Sequence, residues 1–189
     1  MSLTLQAMSH LTRVLQLLPP VAATRAEAPF VLGIDGRSGA GKSQLAATIA
    51  QRRPDARVLA LDDAYPGWWQ LRLGVARIAD GVLAPLRRGE AGRYQRFDWH
   101  RGTLGEEVRV PPVPVLIVEG CGATSALCRP YLDASVWLAV PESVRRRRAM
   151  ARDDGSWREL WHQWAGQEVA MQTEDCALRH ATLVLHGPG

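Results

Sequence analysis

Residues 3–18 place Leu3, Ala7, Leu11, Val14, Leu15 and Leu18 at helical spacing, which predicts an amphipathic helix ended by Pro19-Pro20. Phe30-Val31-Leu32-Gly33-Ile34 is a short unbroken apolar run, the pattern of a strand covered on both faces. From Gln44 to Arg52, Leu45, Ile49 and the alanines return at helical intervals. Strand-like runs recur at Arg57–Leu61, Val113–Val118, Ser135–Val140 and Thr182–Leu185. Between them, Val75–Arg88, Ser125–Tyr131, the segment after Pro141 and Trp157 to about Leu178 read as helices. Strands alternating with helices predict an α/β domain whose parallel sheet is wrapped by helices. Ala64–Leu73 reads as a loop or broken helix, and Gly89–Gly105 as a polar loop long enough to be functional. Glu106–Val110 reads as a short edge strand stopped by Pro111-Pro112.

The first strand runs into Gly36-Arg37-Ser38-Gly39-Ala40-Gly41-Lys42-Ser43, which spells G-x-x-x-x-G-K-S. Strand, glycine-bearing loop and helix start together form an anion site from backbone N–H groups and the helix dipole. Gly36, Ser38, Gly39, Ala40 and Gly41 are therefore expected to cradle phosphates. Lys42 would reach the β- and γ-phosphates, and the Ser43 hydroxyl would ligate Mg²⁺.

Composition sharpens this reading. Of 23 lysines plus arginines, Lys42 is the only lysine. A compact ammonium fits between phosphate oxygens where a planar guanidinium fork does not. The chain contains no asparagine, so the Asn-Lys-x-Asp guanine reader of GTPase switches cannot be present, and N-glycosylation is excluded. With 189 residues the chain is long enough for one domain with a proper core. A net charge of +4 is accounted for by phosphate handling and calls for no nucleic-acid partner. Three cysteines without C-x-x-C spacing fit a reducing cytoplasm, and no apolar run approaches membrane-spanning length. A monomer and a homodimer both remain open.

Candidate chemistry gathers at strand ends, where ligands bind in such sheets. Asp62 and Asp63 close the second strand; one could deprotonate an acceptor hydroxyl and the other hold a metal's water shell. Glu119 ends the Val113–Val118 run, placed to hold Mg²⁺ through water or to touch the acceptor. Arg145, Arg148 and Arg152 share one helical face that could close over phosphates, while Arg146 and Arg147 point elsewhere. Arg96, Phe97, Asp98, Trp99 and His100 could form an acceptor pocket, with rings stacking on the substrate and Asp98 accepting its hydroxyl hydrogen bonds. Trp157, Trp161 and Trp164 form a stripe assigned to the core. The alternative is a regulatory ATP-binding protein that meets nucleic acid through the Arg145–Arg148 run.

Four stretches resemble the uridine kinase-like branch of P-loop kinases, which includes phosphoribulokinase and pantothenate kinase. They are Asp35-Gly-Arg-Ser-Gly-Ala-Gly-Lys-Ser43, Leu61-Asp-Asp-Ala-Tyr65, Val118-Glu-Gly120, and the Arg145/Arg148/Arg152-Asp153 segment. The resemblance implies a three-layer P-loop nucleoside triphosphate hydrolase fold with a five-stranded parallel sheet. It also implies ATP as donor and a mobile, arginine-bearing lid helix. Asp62 would be the base, and Tyr65 and Asp98 would belong to the acceptor site. Trp99 stands where the branch has histidine, and Ala64 where it has an aromatic residue. Tyr94-Gln-Arg-Phe-Asp-Trp99 is more similar to small ATP-binding proteins of unassigned substrate in this branch. On this reading residues 1–28 are a helix and connector packed on a kinase domain of residues 29–189. The substrate loop would span about 89–105 and the lid about 141–157.

Overall fold

The structure, a computed structural model, describes residues 3–23, 25, 29–152 and 158–187. Five parallel strands form the central sheet: β1 (Phe30–Asp35), β2 (Ala56–Ala60), β5 (Val115–Glu119), β6 (Ala134–Ala139) and β7 (Leu183–His186), in the order β2-β5-β1-β6-β7. The middle strands alternate between two cores. Leu116 and Val118 of β5 face one cluster with Val31, while Val115 and Ile117 face the other with Leu32 and Ile34. Both faces being covered is why these strands read as unbroken apolar runs.

On one face lie α1 (Leu3–Leu15) and α2 (Lys42–Arg52). Val14 of α1 and Ile49 of α2 are fully buried there, with Leu18 just beyond α1. The other face carries the helical stretch Leu71–Arg87 and α6 (Trp161–Asp175), which contributes Trp164 and Met171. Leu71–Arg87 comprises α3 (Leu71–Ile78), a π-helical turn at Ala79–Leu83, and α4 (Ala84–Arg87). It starts one turn earlier than its periodicity suggests. The helix expected at Trp157–Leu178 breaks at Cys176, which adopts φ 49°, before the short α7 (Ala177–His180). Residue 157 itself lies outside the described residues. The helix expected at Ser125–Tyr131 forms only turns and a 3-10 turn at Arg129–Tyr131, where Pro130 withholds a backbone donor.

Residues 89–105 differ most from the sequence expectation. They are no open loop: β3 (Gly92–Asp98) and β4 (Thr103–Val110) form an antiparallel hairpin separate from the main sheet. The stretch Glu106–Val110, expected as an edge strand, is part of β4. A register shift between Gln95 and Phe97 interrupts the alternation in β3, and most of β4 is exposed. Neither strand therefore shows a period-2 pattern in sequence. Gly92 of β3 and Gly81 of the π turn bring the hairpin against the helix: a Cβ at Gly92 would strike Val82, and one at Gly81 would strike the Arg93 carbonyl. Among the described residues, no helix is long and apolar enough to cross a membrane.

Candidate active site

The loop between β1 and α2 turns on three glycines with positive φ: Gly36 (143°), Gly39 (80°) and Gly41 (97°). Gly41 caps α2 in the left-handed region, so the helix opens toward the loop without a side-chain cap. Gly39 has a second constraint. A Cβ there would run into the carbonyl of Arg145 at the start of α5 (Glu142–Arg152). Ala40 is buried behind the loop.

Lys42 opens α2 and folds back over the loop. Its Nζ donates to the Gly36 carbonyl at 2.8 Å and lies 3.4 Å from Cys121 Sγ. Burial disfavours its charge, but the carboxylates of Glu168, Asp62 and Asp35 around it outweigh this and raise its pKa. Lys42 is therefore an ammonium at neutral pH, held on loop carbonyls.

A cleft of about 250 Å³ lies before the loop, lined by Gly39, Gly41, Lys42, Ser43, Asp62, Glu119 and Arg148, with Cys121 and Trp164. Residues from three strand ends and α5 thus meet in one place. Asp62 is exposed to the cleft, whereas Glu119 is buried at the end of β5, paired in register with Ile34 and Ala60. Ser43, Asp62 and Glu119 supply the hard oxygens that Mg²⁺ selects. Among the described residues no ready-made cage of three or more acidic or nitrogen and sulfur ligands exists. That arrangement fits Mg²⁺, which keeps waters and shares its shell with substrate phosphates.

Several residues assigned to substrate or nucleotide have other partners. All the polar atoms of Ser38 are engaged. Its N–H donates to Glu168 Oε1 at 2.7 Å, its carbonyl accepts from Arg145 Nη1 at 3.1 Å, and its Oγ accepts from Trp164 Nε1 at 2.9 Å. Ser38 therefore lines the cleft as a held residue rather than an open N–H donor. Arg145 is 2% exposed and also bonds the Val140 carbonyl, so it clasps the loop to α5 and does not face the cleft. Arg148, one turn on, does. The side chain of Arg152 and the whole of residues 153–157 lie outside the described residues.

The residues expected on the acceptor side also have protein partners. Tyr65 is 1% exposed; its hydroxyl donates to the Cys121 carbonyl at 2.7 Å and its ring packs edge-on against Trp164. Asp98 caps the hairpin turn, its Oδ1 accepting from the N–H groups of His100 and Arg101 at 3.0 Å each. These bonds, that to Arg101 foremost, hold its pKa below the usual carboxylate value. Asp63 accepts from Tyr94 at 3.3 Å and pairs with Arg96, which also bonds Glu106. Both residues tie the hairpin to the end of β2. Trp99 packs between Trp68 and Phe97, with its ring centre about 5 Å from each. Its indole N–H donates to the Asp62 carbonyl.

Three residues beside the loop escaped sequence reasoning. Glu168 and Cys121 have no motif, and Asp35 opens the Asp35–Ser43 stretch without a role being assigned to it. Asp35 is buried and accepts from Gly36, Gly122 and Thr124, joining the loop entry to the turn after β5. Burial nevertheless raises its pKa. Burial likewise pushes the Cys121 thiol up, leaving it an S–H donor to Glu168 at 3.1 Å.

No family model and no curated protein sequence matches the chain. Solved structures do. A protein from Bacillus stearothermophilus named as a possible uridine kinase superposes with a TM-score of 0.64 at 17% identity, over 98% of this chain and 100% of that one. This chain shares that protein's fold, a five-stranded parallel sheet flanked by helices. A candidate fructose transport system kinase from Silicibacter sp. TM1040 gives a TM-score of 0.54 at 20% identity, covering 97% and 98%. Within this fold, the cleft described above lies at the carboxyl ends of β1, β2 and β5, where open α/β sheets bind ligands.

Proposed function

We propose that the chain is an ATP-dependent small-molecule kinase that transfers the γ-phosphoryl group of ATP to a hydroxyl of a nucleoside- or sugar-like acceptor. The observation that carries this reading is the shared cleft: Lys42 and Ser43 of the phosphate loop, Asp62 and Glu119 at neighbouring strand ends, and Arg148 from α5 all line it. A nucleotide site uses one such acid for its metal, the place given to Glu119; a second acid, Asp62, suits the base that phosphoryl transfer to an alcohol needs.

Asp62 orients the acceptor hydroxyl and takes its proton as the oxygen attacks the γ-phosphorus and the bond to the departing ADP breaks. Lys42 leaves the Gly36 carbonyl for the phosphate oxygens and stabilises the charge that spreads over them, with Arg148 of α5 acting from the same cleft. Mg²⁺, when bound through Ser43 and Glu119, would neutralise phosphate charge. The hairpin of residues 92–110 takes the role expected of the substrate loop, and α5 that of the lid.

The test is ADP release from Mg·ATP against a panel of nucleosides, sugars and vitamin precursors. An acceptor should stimulate release in the wild type, and Asp62→Asn should lower it by about 100-fold or more. Stimulation that survives Asp62→Asn undiminished would remove Asp62 from the reaction. Lys42→Ala that keeps full ATP affinity would remove the loop from it.

A further inference from the structure

Glu168 sits on α6, 130 residues from the phosphate loop in sequence, yet its carboxylate is the meeting point of the loop's first half. Oε1 accepts from the Ser38 N–H at 2.7 Å, from Trp164 Nε1 at 3.0 Å and from Cys121 Sγ at 3.1 Å. Oε2 accepts from Arg37 Nε at 3.2 Å. The group is 4% exposed and, with Asp35 and Gly36, borders a small pocket separate from the cleft that Lys42 and Asp62 line. It therefore cannot be a group that meets substrate.

The geometry points to Glu168 as the positioning residue for nucleotide binding. With Trp164 one turn before it, Glu168 holds Arg37 and Ser38 so that the loop keeps its cradle shape before a nucleotide arrives. Three observations converge on this. Trp164 and Glu168, at i and i+4, present one helical face to the loop. Arg145 grips the Ser38 carbonyl from the other side, so Ser38 is clamped between α5 and α6. Converging donors also match a carboxylate, which only accepts; an amide would turn its NH₂ toward one of them. A cradle shaped in advance spends less binding energy on ordering itself when the phosphates arrive.

This inference rests on the reading of the loop as a nucleotide site, and the experiment separates the two. Mg·ADP affinity is measured by calorimetry for wild type, Lys42→Ala, Glu168→Gln, Glu168→Ala, Arg37→Gln and the Arg37→Gln/Glu168→Gln pair, with melting temperatures taken without nucleotide. Absence of Mg·ADP binding by the wild type overturns the nucleotide reading, and this inference with it. With wild-type binding present and lost in Lys42→Ala, Glu168→Ala is expected to weaken affinity by roughly tenfold or more, the scale of losing charge-assisted hydrogen bonds. Glu168→Gln keeps an oxygen for Ser38, Trp164 and Cys121, and falls between Ala and wild type. Adding Arg37→Gln to it costs less than Arg37→Gln alone. In the ADP-release assay, KM for ATP rises in Glu168→Gln while kcat stays within about threefold, because the contact serves binding in ground and transition states alike. A folded Glu168→Gln and a folded Glu168→Ala with wild-type Mg·ADP affinity would overturn the inference. So would a fall in kcat at unchanged KM, or additive effects of Arg37→Gln and Glu168→Gln.

Discussion

The indole N–H of Trp99, at the tip of the β3–β4 hairpin, donates to the main-chain carbonyl of Asp62 across 3.0 Å. Trp68 and Phe97 pack against the same ring, and Trp68 in turn meets Trp164 edge-on with centres 6.0 Å apart. The aromatic contacts thus run from the hairpin to the residue that bonds Ser38 of the phosphate loop. The proposed base is seated by the hairpin, and the hairpin by rings that also reach the loop.

Replacing Trp99 by Phe keeps the ring contacts and removes the donor. The acceptor's KM should rise several-fold at saturating ATP, with Mg·ATP affinity unchanged, since the lost bond seats Asp62 and not the loop. Stability should fall by only about 0.5–1.5 kcal/mol, the worth of one hydrogen bond. Steady-state kinetics decide this; an unchanged acceptor KM would detach the hairpin from the acceptor site.

Gly39 and Gly41 both have positive φ but differ in surroundings. A Cβ at Gly41 meets nothing, whereas one at Gly39 strikes the Arg145 carbonyl. Gly41→Ala should cost about 1–2 kcal/mol of backbone strain. Gly39→Ala should cost more, about 3 kcal/mol or above, because α5 must also shift. Urea denaturation compares the two, and equal costs would contradict the close approach of loop and α5.

Arg145 and Arg148 lie one turn apart and should separate by experiment. Arg145→Ala leaves the Val140 and Ser38 carbonyls without their guanidinium donor, a loss of about 1–3 kcal/mol. Arg148→Ala should change stability by less than about 0.5 kcal/mol. It should slow turnover by at least about tenfold. Thermal melts read the first and kcat the second; a reversal of the two effects would exchange their roles.

Glu168 also predicts a pH dependence. Burial works to raise its pKa, but Lys42 and the hydrogen bonds from Ser38 and Cys121 hold the folded value below the ordinary one. The unfolded chain then binds more protons in this range, so stability rises with pH there. The contribution is complete above the unfolded value of about 4.3. It is lost as pH falls through the depressed folded value. Glu168→Gln should flatten this acid limb of the stability curve, measured by chemical denaturation between pH 3 and 6, a range of about three units around that value. An unaltered limb would mean that Glu168 does not titrate differently on folding.

What could be read along the chain was whatever is local. Gly36 to Ser43 is a contiguous motif, and β1, β5 and β6 announce themselves because burial on both faces demands unbroken apolar runs. Asp62 and Glu119 were legible as acids that end such runs. The hairpin was not, because Gln95–Phe97 break register and β4 turns few apolar groups inward. What residue type could not show was the partners the fold supplies: Asp98, Tyr65, Ser38 and Arg145 each have the right groups for a ligand, and each is bonded within the protein.

By itself, then, the sequence determined an α/β chain with a G-x-x-x-x-G-K-S loop after its first strand, its one lysine in that loop and acids at the neighbouring strand ends. These follow from contiguous glycines, from strand periodicity and from residue type, which need no knowledge of distant contacts. Only the tertiary structure decided how the loop is held. Glu168, Trp164 and Arg145 come to Ser38 from more than a hundred residues away. Their roles arise where α5 and α6 close on the loop, and a buried donor or acceptor finds its partner by position in space, not by spacing along the chain.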